Sequence, residues 1–203
     1  MQNAEGREVL VVGGGAAGMM AAGTAASAGA RVTIFEPNRH LGRKLAITGK
    51  GRCNLTNDCT PAEVLENVTR NARFLYAAMT AFPPARTKAF FEDLGVPLKT
   101  ERGRRVFPVS DRAGDVVAAL ARYASGARVV REKVTQIEPT GEGDFLVRTS
   151  GGTYRGDVVI LATGGCSYPL TGSDGSGYRL AAALGHTVTP LSPSLVPLVS
   201  PDR

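Results

Sequence analysis

Residues 8–18, Glu8-Val9-Leu10-Val11-Val12-Gly13-Gly14-Gly15-Ala16-Ala17-Gly18, decide the fold: an apolar run stops in three glycines and resumes in small helix-forming residues. Arg7 to Val12 reads as a short strand, the glycines as a tight turn, and the alanine-rich, proline-free stretch to Ala28 as a helix. Gly29 ends that helix, and the β-branched run Arg31 to Phe35 returns as a second strand, which completes a βαβ unit. Inside it, Gly13 to Gly18 fits G-x-G-x-x-G between strand and helix. The first glycine permits the turn, the second lets a pyrophosphate approach the backbone, and the third lets helix and strand pack closely. Glu36 closes the second strand about 20 residues further on, where a carboxylate accepts hydrogen bonds from ribose hydroxyls and repels a 2′-phosphate. The unit predicts a dinucleotide, FAD or NAD, and disfavours NADP at this site. Gly49-Lys50 is not a P-loop, because position 44 is Lys44 where a glycine is needed and Gly51 follows Lys50.

Outward from this unit, Glu36 to Asp58 is polar, basic and glycine-punctuated, with no predicted element. Helical patterns follow at 61–68, 71–80 and 84–94, the last closed by Gly95 and Pro97. Ser110-Asp111 reads as the N-cap of an amphipathic helix to Ser125 that faces Val116, Val117, Leu120 and Ala121 one way. Ala127 to Ile137, Asp144 to Ser150 and Thr153 to Arg155 read as a small antiparallel meander. The unbroken run Asp157 to Leu161 reads as a buried parallel strand ending in Ala162-Thr163-Gly164, and a helix near Tyr178 to Leu184 is closed by Gly185. His186 then begins a short strand. An NAD site ordinarily continues into further βαβ units, whereas an extended FAD is held from two places. Ala162, Thr163 and Gly164, returning beside the first strand, supply the second place and favour FAD. The expected fold class is α/β: a Rossmann-like FAD-binding fold with a parallel sheet, a helical insertion (59–125) and a β-meander (127–156), all within residues 1–189.

The 203 residues carry 24 Lys+Arg against 18 Asp+Glu, a net charge of +6, with 43% hydrophobic and 21% charged residues, which excludes disorder and fibrous repeats. Three cysteines, Cys53, Cys59 and Cys166, with two histidines support neither a disulfide scaffold nor a zinc site, so no metal is expected. Val9 to Ala30 is uncharged but glycine-rich, and Glu5 and Glu8 precede it rather than a basic segment. It is therefore read as neither a signal sequence nor a membrane span, and a soluble, reduced, cytoplasmic protein with no membrane partner is expected.

Two further blocks carry a family resemblance. Leu41-Gly42-Arg43-Lys44 with Thr48-Gly49-Lys50-Gly51-Arg52-Cys53-Asn54-Leu55-Thr56-Asn57 is the first, and Ala162-Thr163-Gly164-Gly165-Cys166-Ser167-Tyr168-Pro169 continuing to Pro197-Leu198 is the second. With Arg105-Val106-Phe107-Pro108 between them, they resemble the BaiN-like, aminoacetone-oxidase-type FAD-dependent oxidoreductases. Members are about twice this length, so the resemblance implies that 190–203, with its four prolines, begins an inserted second domain. It implies that Gly13, Gly15, Ala16, Ala17 and Gly18 hold the pyrophosphate and Glu36 the ribose. Arg43 and Lys44 would lie near the phosphates, and Gly51, Cys53 and Asn54 on the flavin side. Val134 would offer its backbone to the adenine. The family position of Ser176 is often acidic, whereas here the acid is Asp174, two residues earlier.

The activity the resemblance implies is hydride transfer through flavin N5, with NAD(P)H as donor and a small organic substrate reduced at an enone C=C bond or oxidised at an amine. One alternative is a flavin-dependent reductase forming dihydrouridine in ribosomal RNA, and another is a truncated FAD domain without activity of its own. Arg39, His40, Arg43, Lys44, Lys50 and Arg52 are candidates to face phosphate, while Arg102, Arg104 and Arg105 bear on an RNA partner. Five residues separate Cys53 from Cys59, one more than a flavin-linked redox disulfide has, so Cys53 is read as packing. Tyr168 is a candidate proton donor with a plain surface reading beside it, and no motif singles out a catalytic acid or base.

Overall fold

The computed structural model describes residues 4–193. β1 (Glu8–Val12), α1 (Ala16–Ser27) and β2 (Arg31–Phe35) form the βαβ unit read from the sequence. Both faces of β1 are buried, as its unbroken apolar run requires. Val9 and Val11 enter one core with Met19 and Ala22 of α1, while Leu10 and Val12 enter a second core on the opposite face of the sheet.

The stretch after β2, expected to lack elements, contains α2 (Arg43–Ile47), a 3-10 turn at Thr48–Gly51, and β3 (Thr56–Asn57). The insertion continues with α3 (Pro61–Glu66), α4 (Tyr76–Ala81) and α5 (Pro84–Asp93), near the three helical patterns. It is not wholly helical: β4 (Leu98–Glu101) and β5 (Arg105–Pro108) make a hairpin that joins β3 in an antiparallel sheet. Charged residues in Lys99 to Arg105 hide the alternation that would have marked these strands: Lys99 and Glu101 pair with each other and with Asp111 and Arg52, and Arg104 pairs with Glu63.

α6 (Ala113–Tyr123) buries Val116 and Leu120 against the first core, but its N-cap is Arg112 rather than Ser110 or Asp111. Asp111 is left-handed (φ 55°), and its carboxylate is taken by Arg52 and Lys99.

The expected first meander strand, 127–137, divides into two. β6 (Arg128–Val130) pairs parallel with β2, while β7 (Val134–Pro139), β8 (Phe145–Thr149) and β9 (Thr153–Gly156) form the antiparallel meander. β10 (Val158–Leu161) pairs parallel with β1 in the register Val11↔Ile160, giving a parallel sheet ordered β10-β1-β2-β6. α7 (Ser176–Ala183) places Leu180 in the second core with Val134, Ile137 and Val147. The molecule thus has α1 and α6 on one face of the parallel sheet and the meander with α7 on the other. His186 begins no strand: its N–H returns to the carbonyl of Ala181, with Gly185 at φ 86°, which is a helix-ending hairpin of the backbone. The expectation of a new domain from 190 falls largely on residues 194–203, outside the described ones.

One surface feature gives a pH prediction. Thr60 and Glu63 cap α3 reciprocally, and the carboxylate of Glu63 also receives Arg104 from the hairpin at 2.6 Å. The Thr60 N–H, then Arg104, then the Thr60 hydroxyl pull Glu63 down from its ordinary 4.5 to about 2. A carboxyl depressed by folding contributes stability above its unfolded value, lost as pH falls through the folded one. Acidification from about pH 5 to about pH 2 is expected to lower amide protection in α3, taken relative to the intrinsic exchange rate at each pH, before protection in β1 falls. Unchanged α3 protection over that range would refute the capping role.

Candidate dinucleotide-binding site

At the carboxyl ends of β1, β2 and β10 the chain makes its turns out of the sheet, and the three turns enclose a cavity of about 610 Å3. That is within the range of cofactor sites, and it lies outside the carboxyl ends of parallel strands, where α/β sheets bind ligands.

Two backbone features shape its floor. Gly13 has φ 107° and lies so close to β10 that a Cβ there would sit 2.5 Å from the carbonyl oxygen of Ala162. Gly15, the N-cap of α1, has ordinary dihedrals, but a Cβ there would meet nothing within 4 Å. Its open side faces the cavity that Gly13, Gly15, Ala16 and Ala17 line. No side chain caps α1, and its first turn carries no acid, so the N–H groups and positive dipole end of this helix are left to an anion.

Glu36 is buried at the cavity edge. Its Oε2 accepts the Gly14 N–H at 2.9 Å, and its Oε1 accepts the N–H (2.9 Å) and Nδ2 (2.6 Å) of Asn38. The carboxylate is therefore fixed in direction before any ligand arrives. Asn38 was not singled out in the sequence, although an Asx residue two positions after a strand-end carboxylate is placed to make this turn. Its Oδ1 accepts from Arg43 at 2.6 Å and its carbonyl from Arg131 at 2.8 Å.

Of the residues expected at the site, Gly13, Gly15, Ala16, Ala17, Glu36, Arg43, Lys44, Val134, Ala162, Thr163 and Gly164 line this one cavity. Four others do not. Gly18 packs helix on strand: a Cβ there would be 1.8 Å from the carbonyl oxygen of Gly13. Cys53 is fully buried in the first core, and burial pushes its thiol up, against a smaller opposing hydrogen bond with Thr48. All three cysteines are free, and the thiol form of Cys53 suits packing rather than redox chemistry. Asn54, with its amide turned to donate, reaches the carbonyls of Val106 (3.2 Å) and Thr56 (3.0 Å), so it ties β3 to β5. Gly51, at φ 84°, belongs to the same turn and is not part of the cavity wall.

Arg52 likewise leaves the phosphate-facing group. It bridges Glu101 (2.5 Å) and Asp111 (2.6 Å) and lies 4.2 Å over the Phe107 ring. Lys99 pairs with the same two carboxylates, closing a four-charge network that clamps the 48–54 turn to the hairpin. Of the arginine cluster at 102–105, Arg104 is spent on Glu63 and Arg105 lies 5.7 Å over Phe107. Tyr168 is 68% exposed, as its surface reading requires. Among the described residues no group of three or more His, Cys, Asp or Glu could hold a metal, and no helix is long and apolar enough to cross a membrane.

The chain is 37% identical over 195 residues to the 3-dehydro-bile acid delta(4,6)-reductase of Clostridium scindens, covering 93% of this chain and 46% of that protein. It is 29% identical over 197 residues to the ribosomal RNA dihydrouridine synthase of Haemophilus influenzae, covering 94% of this chain and 48% of that one. The chain thus spans about half the length of these relatives. Among solved structures, the L-proline dehydrogenase of P. horikoshii shares the fold, with a TM-score of 0.53 at 18% identity over 91% of this chain and 57% of that one. The family model described as the HI0933-like protein Rossmann domain matches residues 7–196, a span that holds the glycine turn, Glu36, the 48–57 block and the 162–186 block together. On that match the resemblance read from the motifs is borne out, and the chain belongs to the HI0933-like Rossmann-domain family.

Proposed function

We propose that this chain is the FAD-binding part of a flavin-dependent oxidoreductase that moves hydride between NAD(P)H and a small organic substrate. The observation that supports it most is the pairing of an uncapped α1 N-terminus with a pre-oriented, buried Glu36 in one cavity that also includes Ala162–Gly164. A pyrophosphate fits the first, an adenosine ribose the second, and the small residues after β10 leave room for an extended cofactor to run on past β1. Val134 lines the same cavity with its side chain in the second core, which supports a backbone contact from it to the adenine. Bound flavin would supply the hydride chemistry at N5, and the protein its binding and orientation.

The test is a visible spectrum of the purified protein after incubation with FAD and gel filtration. Co-eluting flavin peaks that bleach anaerobically with NADH or NADPH are expected. A folded protein retaining no flavin would overturn the cofactor reading, and retained flavin that neither nicotinamide reduces would overturn the donor. Glu36→Ala removes the acceptor for the ribose hydroxyls and leaves the Gly14 and Asn38 donors unpaired. It is expected to weaken FAD by about 10- to 100-fold, since hydrogen bonds to charged groups contribute about 1.5–3 kcal/mol. Titration of FAD fluorescence measures it.

One observation favours a second reading, in which RNA is the substrate. Exposed Phe74 (84%) and Tyr76 (65%) directly follow exposed Arg70 and Arg73, and single-stranded nucleic acid uses such aromatic faces and cations. Salt-sensitive retention of RNA, lost in Phe74→Ala with Tyr76→Ala, would move the assignment to RNA.

A further inference from the structure

The segment 165–175, between β10 and α7, is an Ω-shaped loop. Its ends meet through the Gly175 N–H and the Gly165 carbonyl at 3.2 Å, and its interior turns on the carbonyls of Tyr168 and Pro169. Its outer residues, 166–170, are exposed, while Ser173 on its inner side is buried and lines the dinucleotide cavity with Thr171 and Gly172. The loop forms one wall of the cavity, and side chains from three other segments around it reach the loop. Lys44 of α2 donates to the Ser167 hydroxyl at 3.2 Å. Asn38, from the β2–α2 connection, donates to the Thr171 carbonyl at 3.3 Å while holding Glu36. Lys133, from the β6–β7 connection, pairs with Asp174 at 2.6 Å.

We propose that residues 165–175 form a strap over the dinucleotide, and that Lys133 and Asp174 are positioning residues whose ion pair latches it and sets the rate at which the dinucleotide leaves. The inference rests on the cofactor reading above. The segments that carry Lys133 and Asp174 are also held by Leu180 of α7 packing with Val134 of β7, and both residues flank the cavity wall: Val134 on one side, Ser173 and Ser176 on the other. Of the three tethers it alone joins two full charges. The other two donate to neutral oxygens, so the latch alone should respond to salt. Asp174 has a second task, since its Oδ1 accepts the Ser176 N–H at 3.0 Å at the start of α7. Asp174→Asn keeps that acceptor and removes the charge, so the latch can be opened without losing the hydrogen bond from Ser176.

The test uses Asp174→Asn, Lys133→Met and the double variant, with two readouts. The first is amide exchange of residues 166–174 in the protein without added dinucleotide. The second is the release rate of bound FAD, followed by its fluorescence, from low salt to about 0.5 M KCl. Both side chains are partly exposed (50% and 35%). An exposed pair supports an increase in strap exchange and FAD release of about two- to fivefold at low salt. The double variant should equal either single one, and wild type should converge on the variants as salt rises, which a merely structural role would not produce.

Unchanged strap exchange in both single variants overturns the latch whether or not FAD binds. Faster strap exchange with FAD leaving at the wild-type rate overturns its control of release. A wild-type chain with normal strap exchange but no affinity for FAD or NAD overturns the cofactor reading, and the strap's role with it.

Discussion

Gly15→Glu is expected to yield a folded chain that emerges colourless from gel filtration after incubation with FAD. Gly15 has φ −76°, which any residue adopts, and an added Cβ there meets no atom within 4 Å. Nothing in the fold resists the side chain, and a carboxylate at the uncapped N-terminus of α1 is favourable to the helix. It occupies the place assigned to the pyrophosphate, where like charges oppose each other. Such juxtaposition costs several kcal/mol, so affinity should fall by about 100-fold or more. The melting temperature of the FAD-free protein should be that of wild type or slightly higher. Retained flavin in this variant would mean that the pyrophosphate does not lie at α1.

Gly18→Ala should fail in the opposite way. Its Cβ would sit 1.8 Å from the carbonyl oxygen and 3.0 Å from the carbonyl carbon of Gly13, and both are backbone atoms that cannot swing aside. Helix and strand would have to separate where Met19 and Ala22 pack on β1. Overpacking of this kind costs about 1–3 kcal/mol or more. For a chain of this size that is a fall in melting temperature of about 2–4 °C per kcal/mol, seen without any cofactor. An FAD-free Gly18→Ala protein as stable as wild type would show that the third glycine is not needed for packing. Two glycines of one six-residue motif thus have separable roles. Gly15 is open to the ligand, and Gly18 is closed against the protein.

The basic run between β2 and β3 divides in the same manner. Arg39, His40, Arg43, Lys44, Lys50 and Arg52 look alike as charges in a polar stretch. Arg43 and Lys44 line the cavity, while Arg52, half-buried, is held in a network with Glu101, Asp111 and Lys99. Its partners lie 49 and 59 residues away in the chain. A guanidinium is directed by whichever carboxylates the fold brings to it, and no local pattern around residue 52 reports those distant residues. The same network explains why α6 has no side-chain cap. Asp111, a good cap by type, forms ion pairs instead, and Arg112 begins the helix without side-chain help.

The sequence by itself determined the βαβ unit, the parallel return of β10 beside β1, and the cavity position of Glu36 and of the Gly13–Ala17 turn. These depend on short-range rules: unbroken apolar runs make buried strands, and a glycine turn between strand and helix leaves backbone N–H groups free. It also carried the family, because the 48–57 and 162–186 blocks are long enough to be specific. The tertiary structure alone decided which basic side chains face the cavity. It also separated β6 from the meander and placed it beside β2, removed Cys53, Asn54 and Gly51 from the cavity wall, and brought Asn38, Lys133 and Asp174 together around it. The physical reason is one of range. Which segments form strands or helices, and which of their faces are apolar, follows from neighbours in sequence, whereas the partner of a distant strand such as β6, an ion pair or a side-chain hydrogen bond is settled by groups tens of residues away, whose approach exists only once the sheet has formed.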